Sequence, residues 1–285
     1  MLELFDHVFS PLRDNDLDAT LARFARAGFL VSPKKVRHPA GRLSGFVHLT
    51  SSYLEFLSVV DEGAFAREAT WDEQYFRAHP RPYGFGARTS DAASLHRTLS
   101  RQYPEMAPVV SRAPVGGEEP GWSFCLPPPR AFPGAFVFAL QYHGSRQGVR
   151  PQTQWGPNTI FGLGGLVFCS SGRAAAIKTW RNSLRKITRL RAVGTCLRSR
   201  MQDLQWIAPA EYRRRFGVVF QRGPGRFGDI AAVKLLCTDV DEACLRLTGE
   251  HFKCVRQTKA RAFFAPDSNT GFTFELIRSR PAKFV

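Results

Sequence analysis

One order of patterns recurs four times along this chain: an extended apolar run, an amphipathic helical run, then further extended runs. No single motif limits the fold as tightly. The first pass is LELFDHVFSPL, LDATLARFARAG, then three extended segments ending in YLEFLSVV, with Glu55 at its centre. The second opens on PYGFGARTS and continues in SDAASLHRTLSRQY, where Ala92, Leu95 and Leu99 fall at helical spacing. It closes on MAPVVSR, WSFCL and AFVFALQYH. The third pass holds IFGLGGLVFCS, GRAAAIKTWRNSLRKI, RLRAVGTCLRS and DLQWIAP. The fourth holds IAAVKLLCT, VDEACLRLTGEH, FKCVRQT, ARAFFAP and FTFELIRS, with Glu275 in its last run. Asp16, Asp18, Asp91 and Asp239 stand at helix starts, where a carboxylate satisfies free backbone N–H groups. The expectation is an α+β chain of four βαβββ modules, grouped as residues 1–147 and 159–285 around a polar linker at 148–158. GAFAREATWDEQYFRAHPRP and AEYRRRFGVVFQRGPGRFGD read as connectors within the two halves.

Strand alternation then selects a centre of chemistry. With period 2, Phe5, His7 and Phe9 share one face of the first strand, and Tyr53, Glu55 and Leu57 share one face of the last strand of that module. An imidazole and a carboxylate on neighbouring strands can meet over a pocket. A lone carboxylate in an apolar strand is expensive to bury unless it is paired, so Glu55 is expected to have a pocket role. His7 leaves three readings open: a buried imidazole bonded to Glu55 or to backbone, a metal ligand, or an acid/base group.

Charge is distributed unevenly. Residues 1–150 hold 17 Lys/Arg against 15 Asp/Glu, and residues 151–285 hold 23 against 9, so 14 of the 16 net positive charges lie in the second half. That face is either an Arg-rich solvated surface or a site for an anion, RNA or DNA. The six cysteines include no C-x-x-C pair and read as reduced thiols of a cytoplasmic protein. No apolar run approaches the roughly 18 residues of a membrane span, so no membrane partner is expected.

The run D-H-V, the Asp-initiated helix ending in A-G-F, and Y-L-E-F-L resemble the vicinal oxygen chelate superfamily. More narrowly they are similar to a glyoxalase-like domain found in many bacterial proteins. GFGARTSDAASL and SRAPVGGEEPGW are similar to that family's second module. The resemblance implies paired modules forming curved mixed sheets, as in glyoxalase/bleomycin-resistance-like domains, around a pocket that often holds one divalent metal (Zn, Ni, Mn or Fe). Its members include glyoxalases, epimerases, extradiol dioxygenases and drug-binding resistance proteins. Carried onto this sequence, the ligand positions are His7 and Glu55 in the first module, and about Gly84 and Gln141 in the second. They fall near Gly165 and Gln205 in the third, and near Ala232 and Glu275 in the fourth. His7, Glu55 and Gln141 make at most three ligands, with His48, Tyr53 and His143 as neighbours. Phe5, Phe9, Leu57 and Phe85 complete the expected pocket.

The second half lacks the two His and one Glu of an extradiol dioxygenase, which argues against that reaction. Glu275, without a partner His, is expected to pair with an Arg. No nucleotide cofactor is indicated. The implied function is a lyase, isomerase or epimerase acting on a small molecule with adjacent oxygens, with Glu55 moving the proton. The alternatives are a metal-free protein that binds or sequesters a hydrophobic or aromatic small molecule, and an anion- or nucleic-acid-binding protein using the basic half. A homodimer is compatible with each.

Overall fold

The computed structural model describes residues 2–38, 40–112, 121–143, 155–185, 188, 191–198, 202–223 and 226–281. The first unit is β1 (Leu2–Pro11), α1 (Leu17–Arg26), β2 (Leu30–Val31), β3 (Val36–His38), β4 (Arg42–His48) and β5 (Tyr53–Val59). The second is β6 (Gly84–Thr89), α4 (Ala92–Ser100), β7 (Val110–Arg112), β8 (Gly121–Cys125) and β9 (Phe136–His143), and α2 (Glu62–Glu68) and α3 (Trp71–Ala78) lie between the two. The third is β10 (Ile160–Cys169), α5 (Arg173–Leu184), β11 (Arg191–Val193), β12 (Cys196–Arg198) and β13 (Asp203–Ile207). After α6 (Pro209–Phe216), the fourth is β14 (Ile230–Cys237), α7 (Val240–Gly249), β15 (Cys254–Gln257), β16 (Arg261–Phe264) and β17 (Phe274–Arg278). The stretches expected as plain connectors therefore contain helices. They were hard to read because α2, α3 and α6 are 7 to 8 residues long, about two turns each. Residues 148–154 of the expected linker lie outside the described residues.

Units pair in chain order. The first two form a 9-stranded sheet in the order β2-β4-β5-β1-β6-β9-β8-β7, with β3 added on β4, and the last two form an 8-stranded sheet, β11-β12-β13-β10-β14-β17-β16-β15. Each unit's first strand runs parallel to its own last strand, and the two first strands of a sheet meet antiparallel at its centre. The seam between β1 and β6 thus places the opening strands of two units side by side.

The helices begin where the sequence places a cap. Asp16 Oδ1 accepts from Ala19 N at 2.8 Å, Asp91 Oδ1 from Ser94 N at 2.8 Å, and Asp239 Oδ1 from Asp241 N at 2.9 Å. Their apolar stripes enter one continuous core with the inner faces of both sheets: Leu17, Leu21 and Phe24 from α1, Leu95 and Leu99 from α4, Trp180 and Leu184 from α5, and Val240 and Leu247 from α7. Phe24 touches Phe29 and Phe56 of its own half and Phe252 and Phe274 of the other, at 4.8 to 6.4 Å between ring centroids. Trp180 is fully buried against Phe85, Phe132, Phe168 and Trp206, and its Nε1 donates to Pro133 O at 3.0 Å. Buried this way, the indole offers no platform on which a nucleic-acid base could stack.

Because both halves draw on the same core, its loss affects both. Phe24→Ala is expected to lower unfolding stability by about 3–5 kcal/mol. Urea denaturation followed by fluorescence and circular dichroism should show one transition, shifted as a whole. Two separated transitions would contradict the shared core.

Candidate active site

β1 does not alternate evenly. Against β6 its register runs Phe5 to Ala87, His7 to Gly86 and Phe9 to Gly84, so two steps on β1 match one on β6 and Asp6 is the extra residue of a bulge. Phe5 is thereby turned into the helix-side core, where its ring meets Phe85 at 4.9 Å. His7 and Phe9 stay on the opposite, outer face of the sheet. This corrects the expectation that Phe5 and Phe85 line the pocket, since period 2 holds only for a strand without insertions.

The bulge buries Asp6 completely, which would be costly for an unpaired carboxylate. Asp6 is instead held by three neighbours. Arg88 Nε donates to Oδ1 at 3.0 Å, the Tyr142 hydroxyl donates to Oδ2 at 2.8 Å, and His7 Nδ1 lies 2.9 Å from Oδ2. Burial pushes the Asp6 pKa up, but the hydrogen bond and charge of His7 and the charge of Arg88 outweigh it and bring it down to about 2. A carboxylate so ionised only accepts, so His7 Nδ1 is the donor and Nε2 is the free end of the ring. Gly86 makes room for this ring, because a Cβ there would overlap Cε1 and stand 2.9 Å from Nδ1.

His7 Nε2 faces Glu55 Oε2 at 3.4 Å, so the two groups singled out from the sequence do come together. The other oxygen of Glu55, Oε1, accepts from Ser44 Oγ at 2.5 Å and lies 3.7 Å from His38 Nε2. His38 Nε2 in turn is 2.8 Å from Ser44 Oγ. Tyr53 stacks flat on His7, 4.5 Å between centroids and 11° between planes, and its hydroxyl is bonded to Tyr142. Burial first, and the nearby Tyr142, Asp6 and Glu55 next, raise the Tyr53 pKa and keep the phenol neutral. Asp6, His38, Ser44 and Tyr142 were not singled out from the sequence. The Ala-Gly turn at Ala40 and Gly41, both left-handed, was the available signal for His38, because it closes the β3–β4 hairpin that sets His38 diagonally across from Ser44.

The remaining expected residues divide by face. Leu57 borders an aromatic cluster of Phe9, Phe76, Tyr83 and Phe227, and His48 sits at the end of β4 with its ring 6.4 Å from Tyr53. Burial lowers the His48 pKa, favouring the neutral ring. Gln141 lies on the helix side, where its Oε1 accepts from Ala92 N at 2.9 Å and caps α4. His143 is on that side too, 2.6 Å from Ser123 Oγ. Tyr142, between them, faces the site. One residue of register thus removes Gln141 and His143 from the pocket and supplies Tyr142.

The outer face of the second sheet is built differently. Glu275 is fully buried and ion-paired with Arg261 at 3.1 Å and Arg215 at 3.8 Å, as expected from the lack of a partner His. Lys234 Nζ meets Asp203 Oδ1 at 2.7 Å. Tyr212 and Phe216 of α6 pack onto Val167, Cys169, Ile207 and Phe263, covering this face with the chain's own helix. The first sheet keeps Phe46, Trp122, Phe124 and Phe138 half-buried around His7 and Glu55.

The three ligands expected from the resemblance, His7, Glu55 and Gln141, are not brought together. Gln141 faces away, and the residue opposite His7 is a glycine whose space the imidazole fills. Among the described residues, no group of three or more His, Cys, Asp or Glu is arranged to hold a metal ion.

The ionised Asp6 has a measurable consequence. Its pKa is about 2 when folded against an ordinary 3.8, so the unfolded chain takes up the proton first as pH falls. The stabilisation is complete above about pH 4 and lost toward pH 2, and amounts to about 2 kcal/mol. Urea unfolding at pH 5 and at pH 2.5 should show the wild type losing about that much more than Asp6→Asn.

A family model of the glyoxalase-like domain matches residues 5–184. No curated protein sequence matches the chain. Among solved structures, a hypothetical protein from Staphylococcus aureus aligns over 97% of this chain and 99% of its own, at 10% identity and a TM-score of 0.63. A variant of 4-hydroxymandelate synthase from Streptomyces coelicolor aligns over 100% and 95%, at 10% identity and a TM-score of 0.62. A catechol 2,3-dioxygenase aligns over 99% and 91%, at 14% identity and a TM-score of 0.51. At such identities the likeness is one of fold. The match over residues 5–184, with four βαβββ units in two mixed sheets, places the chain in the glyoxalase-like domain family of the vicinal oxygen chelate superfamily.

Proposed function

We propose that the chain is a small-molecule enzyme that moves a proton at a carbon next to a carbonyl, an isomerase- or epimerase-type step carried out on the outer face of the first sheet. The observation that carries this reading is the placement of Glu55. Its carboxylate is held from two sides, by Ser44 on Oε1 and His7 on Oε2, yet keeps about a tenth of its side-chain surface open to the site. Glu55 takes the proton from carbon. His7, fixed by Asp6 through its Nδ1–H, keeps Nε2 beside Oε2 and so positions the carboxylate in the site. The proton count balances, since one is removed and one returned and no electrons change hands.

Deuterium incorporation from D2O into C3 of phenylpyruvate, followed by proton NMR, tests this directly. Glu55→Gln is expected to lower the rate by about 10²–10⁴-fold. Exchange no faster than buffer across aromatic and aliphatic 2-oxo acids, or an unaffected Glu55→Gln, would remove the reading.

A second reading, a protein that binds an aromatic compound without converting it, draws on the half-buried Phe46, Trp122, Phe124 and Phe138. Trp122→Ala should then weaken calorimetric binding of phenylpyruvate about 3- to 10-fold, the worth of one aromatic contact. On that reading Glu55→Gln binds as well as wild type and no exchange is catalysed by either.

A further inference from the structure

For the proton taken from carbon to exchange with solvent it must leave Glu55, whose side chain is only 11% exposed. His7 occupies the Oε2 side and is itself tied to Asp6. On the Oε1 side the contacts continue outward. Ser44 is fully buried and bonded at once to Glu55 Oε1 at 2.5 Å and to His38 Nε2 at 2.8 Å. The His38 side chain, on the edge strand β3, is 36% exposed, against 11% for Glu55 and 3% for His7. The three groups therefore form a continuous path from the site to the exposed edge strand, each within a hydrogen bond of the next.

A hydroxyl carries one proton, which fixes the sense of the chain. With Glu55 ionised, Ser44 donates to Oε1 and accepts from Nε2–H of His38. With Glu55 protonated, the carboxyl donates to Ser44 Oγ, Ser44 donates to Nε2, and His38 carries its proton on Nδ1. Transfer of the Glu55 proton along this chain leaves a carboxylate and an imidazolium, which releases its Nδ1 proton to water. No oxidant or further reactant is needed.

We propose that His38 and Ser44 are the proton relay of Glu55, connecting its Oε1 to solvent at the sheet edge. This rests on the reading of Glu55 as the base. The groups facing His38 suit the role. Burial is the largest influence and lowers its pKa, Glu55 from β5 opposes it, and Arg42 from β4, Arg112 from β7 and His7 from β1 add to the lowering. The ring is thereby kept neutral and able to accept. Arg42 is itself paired with Glu73, so its charge is partly neutralised.

Two measurements on the full chain test the relay. Long-range proton–nitrogen spectra of the histidines should show His38 as the Nε2–H form at neutral pH, with a titration midpoint that falls in Glu55→Gln. Ser44→Ala should abolish the preference for that form, and Ser44→Thr should keep it. A His38 in the Nδ1–H form, or one indifferent to Glu55→Gln, overturns the proposal. In the phenylpyruvate exchange assay, His38→Ala and Ser44→Ala should each lose roughly 10²-fold, the low end for a positioned proton-transfer group. Ser44→Thr should retain the rate, and added imidazole should restore His38→Ala, which a merely structural histidine would not permit. Variants exchanging at the wild-type rate would likewise overturn it. If the wild type exchanges no proton of the probe, the base reading falls, while the spectra still decide the relay.

Discussion

Asp6 is one carboxylate buried at the junction of three strands, and the site depends on how it is held. Its partners come from its own strand, from β6 through Arg88, and from β9 through Tyr142. Two of the three belong to the second unit, so the ion pair also ties the first unit to the second across the seam. An uncompensated charge at this depth would cost several kcal/mol, and removing one partner of a buried pair is commonly more damaging than never having had it. The same contact chooses the tautomer of His7 and thereby the atom that faces Glu55.

The two sheets share a topology and have used it differently. In the second, the outer face is filled by charges that satisfy each other, Lys234 with Asp203 and Glu275 with Arg261 and Arg215, and α6 lies over them. In the first, the connector helix α3 packs to one side, stacking Phe76 on Tyr83, and leaves His7, Glu55 and a set of half-buried aromatic rings together. A loop of the second half reaches across to close that side, with Phe227 against Phe136 and a bridge from Phe227 to Gly134. The second half thus supports the side of the site in the first.

The superfamily resemblance suggested metal ligands at His7 and Glu55, and those positions do meet. What surrounds them is a chain of close polar contacts running from Tyr53 through Tyr142, Asp6 and His7 to Glu55, Ser44 and His38. Such a chain can position and pass protons, and its members already have partners of their own. The absence of a side chain at Gly86 is part of the same arrangement, because the ring of His7 takes up that space.

Much was legible in the residues alone. The fourfold order of patterns set the units, the Asp caps set the helix starts, and alternation in YLEFLSVV placed Tyr53, Glu55 and Leu57 on one face, because these signals depend on neighbours within a few residues. The faces of Phe5, Phe85, Gln141 and His143 were not legible. They follow from a bulge at Asp6 and from the register of β9 against β6 and β8, which local spacing does not encode. His38 lies in a strand of three residues, too short to show a period, and reaches Glu55 only because a tight turn folds β3 back on β4. Local sequence determined which elements exist and which residues share a face within each. Only the packed structure decided which faces meet, because register and bulges are settled by contacts between segments far apart in the chain.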